Sequence, residues 1–166
     1  MKTMGWLKGN KWFSGLIVAV ALVAPAYADE DDKPLKPVPP EYANKHMPKG
    51  WWTDPKIVEA GKKLFETAQL EFDYKGKKEQ VKEGCSTCHA IDAAKDRPKQ
   101  RGARDFRVAK KMDKFSDSYW FWRISEGVAK TKMPGWKDKL SEEERWKVIA
   151  YEHTWSHGNK PAEHAH

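Results

Sequence analysis

The only two cysteines of the chain stand in Cys85-Ser86-Thr87-Cys88-His89. Two thiols three positions apart, followed at once by an imidazole, have the spacing that tethers a haem. Each sulfur can add to one vinyl group on the same porphyrin edge, and the histidine, on the following helical turn, reaches the iron as proximal ligand. Two rival chemistries use the same side chains. A structural zinc site takes four Cys or His ligands, and no second paired motif supplies the missing two. Dithiol exchange needs a Cys-x-x-Cys at a helix N-terminus inside an alternating β/α pattern. That pattern is missing, so a thiol-disulfide protein stands as the second reading.

The elements that must hold this pentapeptide are marked by their ends. Asp54-Pro55 is an N-cap followed by a proline at the first helical position, and Ile57, Gly61, Leu64, Phe65 and Ala68 recur at helical spacing. This predicts a helix over about 54–69. Residues 70–84 are polar around Lys75-Gly76-Lys77-Lys78 and read as a loop. From Ala90 to Phe115 runs a basic stretch with little periodicity, also read mostly as loop. Ser116-Asp117 caps a short aromatic helix carrying Tyr119, Trp120, Phe121, Trp122 and Ile124, with Gly127 as its stop. Lys130 to Leu140 is loop again, broken by Pro134 and Gly135. Ser141 and Glu144 form a capping box ahead of Trp146, Val148, Ile149, Ala150 and Tyr151. That last helix is expected to run to about His157, before Gly158. No strand period is recognised, so the expected class is all-α.

The chain has 166 residues, 39% of them hydrophobic and 12% aromatic, with a formal net charge of +7. Collagen-like and low-complexity classes are excluded, and nine Trp, six Phe and five Tyr suffice for one compact core. Residues 1–28 read as an export signal: Lys2, Lys8 and Lys11 form a positive head, Phe13 to Ala24 an apolar stretch, and Ala26-Tyr27-Ala28 a small-x-small cleavage site. The apolar run is shorter than the roughly 20 residues that span a bilayer, so membrane association is expected only if the signal stays uncleaved. Removing it takes three lysines and no acid from the balance. The mature protein is then mildly basic, and once exported it is not expected to bind nucleic acid. Residues 29–53 are acidic and then Pro-rich, a linker or wrapping arm. Residues 54–158 form the expected domain, and 159–166, with His164 and His166, a flexible tail.

From the first helix to the last, the chain resembles the class I monohaem cytochromes c. Gly61 and Phe65 match that family's Gly-x-x-x-aromatic pair on the first helix, and Val148-Ile149-Ala150-Tyr151 is similar to its closing-helix pattern, with Val148 and Tyr151 facing the glycine gap. The resemblance implies an all-α cytochrome c fold packed around one covalent haem c. Cys85 and Cys88 are then the thioether positions and His89 the proximal iron ligand. Met133, in Lys132-Met133-Pro134-Gly135-Trp136, stands where the family places the distal ligand. Met112, Met47 and His153 are the competitors for that position. Two departures stand out: a long run from Glu66 to Gly84 before the cysteines, and Glu152 where the family is often apolar, which suggests a stretch of the last helix more open to water or to a partner. Lys95 to Lys114 holds nine basic and three acidic residues. Around a haem edge such residues steer an acidic redox partner, and Arg104 or Arg107 is placed to neutralise a propionate. Trp136 is a candidate contact to the ring, and Trp120, Phe121 and Trp122 are candidate core around it.

The implied function is one-electron transfer in the periplasm, without a catalytic nucleophile or acid–base pair. A haem-bearing subunit of a multisubunit oxidoreductase, of the kind accompanying periplasmic molybdenum enzymes, is the alternative.

Overall fold

Three capped helices organise the protein. The computed structural model describes residues 34–90, 97–158 and 160; the expected signal of residues 1–28, most of the expected tail and the start of the basic stretch lie outside these. Helix α1 spans Pro55–Thr67, and the Asp54 carboxylate accepts from the Lys56 and Ile57 amides at its start. Its amphipathic spacing turns Gly61 and Phe65 inward. After it comes β1, Leu70–Tyr74, joined by Lys75-Gly76 to β2, Lys77–Val81. The two strands pair antiparallel, with Leu70 opposite Val81 and Tyr74 opposite Lys77.

This hairpin corrects two expectations at once. Residues 70–84 are not simply loop, and the class is mainly helical rather than all-α. The physical reason is visible in Leu70-Glu71-Phe72-Asp73-Tyr74, where apolar and polar residues do alternate. Leu70, Phe72 and Tyr74 are half-buried while Glu71 and Asp73 are exposed, as expected for one face of a strand. The partner strand, Lys77-Lys78-Glu79-Gln80-Val81, is almost wholly polar and conceals the pattern.

The attachment segment follows as a single turn, α2, Ser86–His89. A second short turn, α3, Ala109–Met112, punctuates the basic stretch. Helix α4 spans Asp117–Glu126, with the Ser116 hydroxyl accepting from the Tyr119 amide and Gly127 closing it. Helix α5, Glu142–His157, carries both halves of the capping box: the Ser141 hydroxyl accepts from the Glu144 amide, and the Glu144 carboxylate from the Ser141 amide at 2.8 Å.

Helices α1 and α5 cross at Gly61. A Cβ there would lie 2.5 Å from the carbonyl carbon of Lys147 and 3.1 Å from Cβ of Tyr151, so the helices approach only because that side chain is missing. Lys147, rather than the expected Val148, meets the gap with Tyr151. Val148 is instead fully buried in the core with Phe65, Phe121, Trp146 and Ile149. Phe121 stacks on Trp146 with centroids 4.3 Å apart, and burying a side chain of this size contributes about 1.5–3 kcal/mol.

The Pro-rich segment wraps α4 from outside. Tyr42 hydrogen-bonds Glu126, the Ser118 hydroxyl donates to the Ala43 and Lys45 carbonyls, and the Met47 amide donates to the Asp117 carboxylate at 2.9 Å. Met47 is buried in this contact. Among the described residues no helix is long and apolar enough to cross a membrane.

Candidate functional site

A cavity of about 480 Å³ opens where α2, α4, α5 and the loop after α4 converge, within the 300–1,000 Å³ range of cofactor sites. Cys85, Cys88, His89 and Met133 all line it. Both cysteines are free thiols. Burial pushes the Cys85 thiol well above its ordinary value, with the neighbouring Glu152 carboxylate acting in the same direction, and burial also raises Cys88. At neutral pH both are therefore protonated thiols.

The α2 turn orients the histidine. The His89 amide donates to the Cys85 carbonyl at 2.9 Å, which turns the buried ring toward the cavity. Its Nδ1 lies 3.0 Å from the Arg104 carbonyl. With Nδ1–H donating there, Nε2 keeps its lone pair for a metal. Burial holds the imidazole below its usual value, so it stays neutral, the form that ligates. Phe106 stacks on the ring at 4.7 Å. This backbone tie to Arg104 gave no sequence signal, because any residue offers a carbonyl.

Met133 is held by the end of α4. Its carbonyl accepts from the Val128 amide at 3.0 Å, and the Trp136 amide donates back to the Ile124 carbonyl at 3.0 Å. Gly127 makes this possible: at φ +69° it takes a conformation side chains disfavour, and a Cβ would lie 2.6 Å from the Pro134 carbonyl carbon. The hairpin braces the same loop from the other side, since Lys132 Nζ contacts Glu79 Oε1 at 2.9 Å and sits 5.6 Å from the Tyr74 ring centre. The insertion from Glu66 to Gly84 thus touches the loop that carries Met133.

Of the three competitors for the distal position, Met112 shares the cavity with Met133 while Met47 and His153 are not among its lining residues. Met112 also lines the cavity and is fully buried. Met47, on the arm itself, is buried where its amide meets Asp117. His153, fully buried, lies with its ring 4.6 Å from that of Trp52 and 4.4 Å from that of His157, and does not line the cavity. Of the two arginines, Arg104 lines the cavity and Arg107 pairs with Asp105 at 2.6 Å. Arg101, Arg123, Lys130 and Lys132 also reach its wall. Trp120 and Trp136 are buried lining residues; Phe121 faces Trp146, and Trp122 is half-buried with the Arg123 guanidinium 3.7 Å above its ring.

Glu152 departs from the expectation of a water-exposed position. It is 2% exposed, lines the cavity, and accepts from the Trp120 indole N–H at 2.7 Å. On sequence an acid late in a helix reads as solvent-facing; only the indole donor, 32 positions away, makes burial tenable.

Paired thiols, a neutral imidazole with Nδ1 tied to a backbone carbonyl, a thioether in the same lining, aromatic walls and a cationic rim fit one covalently tethered haem. In comparison with known proteins, residues 74–151 match the family described as "Cytochrome C oxidase, cbb3-type, subunit III". No curated protein and no solved structure matches the chain.

Proposed function

We propose that the chain, which carries a c-type cytochrome domain of a family with covalently bound haem c, is a periplasmic one-electron carrier in which His89 and Met133 would hold the haem iron. Haem-based electron transfer with redox partner proteins follows from the family; the ligand set, the compartment and the partner's character are our reading. The observation that supports it most is the convergence of Cys85, Cys88, His89 and Met133 on one cavity, with His89 Nδ1 tied to a backbone carbonyl.

Each side chain has a role. The Cys85 and Cys88 thiols would hold the haem covalently beside α2. His89 presents Nε2, and Arg104 through its carbonyl keeps the ring in that tautomer. Met133 supplies a soft thioether, which favours the reduced metal relative to a second imidazole. Trp120, Trp136 and Phe115 exclude water from the cavity, and Arg101, Arg104 and Arg123 are placed to pair with propionates. When bound, the haem iron supplies the ferric/ferrous couple. Lys130 and Lys132 at the rim favour an acidic partner surface.

Matured protein is expected to carry a covalent haem adduct by mass spectrometry, resistant to acid-acetone, and to show the long-wavelength charge-transfer band of methionine-ligated ferric haem. Free thiols or a disulfide without adduct would return the assignment to a thiol-disulfide protein. A second reading, a haem-bearing subunit of a larger oxidoreductase, draws on the matched family's description as an oxidase subunit. The sequence of residues 1–28, with Lys2, Lys8 and Lys11 ahead of the apolar Phe13 to Ala24, reads as an export signal and supports the periplasmic assignment. Size-exclusion chromatography of the native extract distinguishes the two, since a free carrier elutes alone.

A further inference from the structure

The buried carboxylate of Glu152 is not used by the electron-transfer scheme above. It lines the same cavity as Cys85, Cys88, His89 and Met133, is almost wholly removed from water, and accepts one strong hydrogen bond, from Trp120 Nε1.

Arg101, Arg104, Lys130 and Lys132 line the same cavity, yet the hydrogen bond the carboxylate accepts comes from the Trp120 indole. From α1, Gly61 and Phe65 face α5, and neither titrates. From α3, the buried residue is Met112. From α4, Trp120 is the donor, while the Arg123 guanidinium lies over the Trp122 and Tyr119 rings. The attachment segment brings Cys85, Cys88 and His89. On α5 itself, the adjacent His153 lies against Trp52. The Trp120 bond is the one interaction that favours the ionised form, and it is outweighed by burial, which pushes Glu152 up to about 8. An acid in this setting changes protonation when a nearby charge changes by one unit.

Resting on the haem-site reading, we propose that Glu152 is a redox-linked proton site: its carboxylate takes up one proton from water as the haem gains one electron from a redox partner, and releases it on oxidation. The balance is simple. Ferric haem, ionised Glu152, one electron and one proton become ferrous haem and the protonated acid, and no bond to the iron changes. The physical cause is Coulombic. The oxidised haem carries one more positive charge than the reduced, so it favours the carboxylate, and reduction favours the acid. The protein would therefore move a proton with its electron over the pH window between the acid's two pKa values.

The holoprotein is titrated potentiometrically from about pH 6 to about pH 10. Between the two pKa values each pH unit changes the reduction equilibrium constant tenfold, about 59 mV per unit for one electron, with flat limbs on either side. Glu152→Gln is expected to abolish the slope and to hold, at all pH, the potential the native protein has on its acid limb. Trp120→Phe removes the bond that lowers the acid's pKa, so it should keep the slope and move it to higher pH. In infrared redox difference spectra, a protonated-carboxyl C=O band should appear on reduction and vanish in Glu152→Gln. A flat native potential, or a slope that persists unchanged in Glu152→Gln, assigns any proton coupling to another group such as a propionate and overturns the proposal. A preparation without Soret absorption overturns instead the haem assignment on which it rests.

Discussion

Gly61→Ala tests the helix crossing that positions the whole site. Two effects oppose each other. In the middle of α1, alanine is favoured over glycine by roughly 0.5–1 kcal/mol from backbone entropy and helix propensity. Against this, the new Cβ would sit 2.5 Å from the Lys147 carbonyl carbon. Ordinary contact begins at 3.4 Å and the Lys147 carbonyl oxygen lies nearer still, so α1 and α5 must separate by more than about 0.9 Å. The clash is with backbone, which cannot rotate away, and overpacking of this kind costs about 1–3 kcal/mol or more. Phe65 also loses its edge contact with Tyr151, now at 5.3 Å between centroids. The net expectation is a loss of about 2 kcal/mol, or about 4–8 °C in melting temperature for a chain of this size. The assay is thermal unfolding of the haem-loaded protein followed by far-UV circular dichroism, with Soret absorption recorded alongside. An unchanged or raised melting temperature would mean that propensity wins, that the helices are not in backbone contact, and that the argument from Gly61 is wrong.

Met133→Ala should remove the long-wavelength ferric band and lower the reduction potential, whereas Met112→Ala should leave both in place; the reverse result would transfer the distal ligand to α3. Lys132→Ala should leave overall stability nearly unchanged, because the pair with Glu79 is solvent-accessible, yet loosen the Met133 loop. The expected readout is tighter binding of added imidazole to the ferric protein, and unaltered imidazole affinity would exclude the hairpin as a brace. Ser141→Ala breaks the capping box and is expected to cost about 1 kcal/mol in urea unfolding. Glu152 is raised in the folded protein from 4.5 to about 8, so the unfolded chain gives up its proton first. Folding stability should then fall as pH rises from about 4.5 through about 8. Urea midpoints of Glu152→Gln should decline less over that range, and identical declines would place the buried charge elsewhere.

What was legible in the sequence depended on how local the determining physics is. The ends of α1, α4 and α5 follow from Asp54, Ser116, Ser141, Gly127 and Gly158, residues that satisfy or release backbone groups within one turn. The cysteine-histidine segment is equally local, since its chemistry is set by covalent spacing. The hairpin was misread because strand pairing is non-local: five residues of clear alternation in β1 face a partner, β2, whose polar composition carries no signal of its own. The arm's Tyr42 and Met47 make hydrogen bonds to partners 84 and 70 positions distant.

The site's less visible parts share that dependence on distance. The Arg104 carbonyl orients His89 from 15 positions away, and the Trp120 indole stabilises Glu152 from 32. Neither partner is distinguished by residue type at its own position. Each acquires its role from the cavity, where a carbonyl, an indole N–H or a carboxylate is removed from water and its single hydrogen bond becomes decisive. The same reasoning separates Glu152 from the other acids of α5. Glu142 and Glu143 are exposed at the helix start, where charge is screened and the helix dipole welcomes it. Glu152, chemically identical, stands where ionisation is costly and where a change of one charge nearby can reverse the balance.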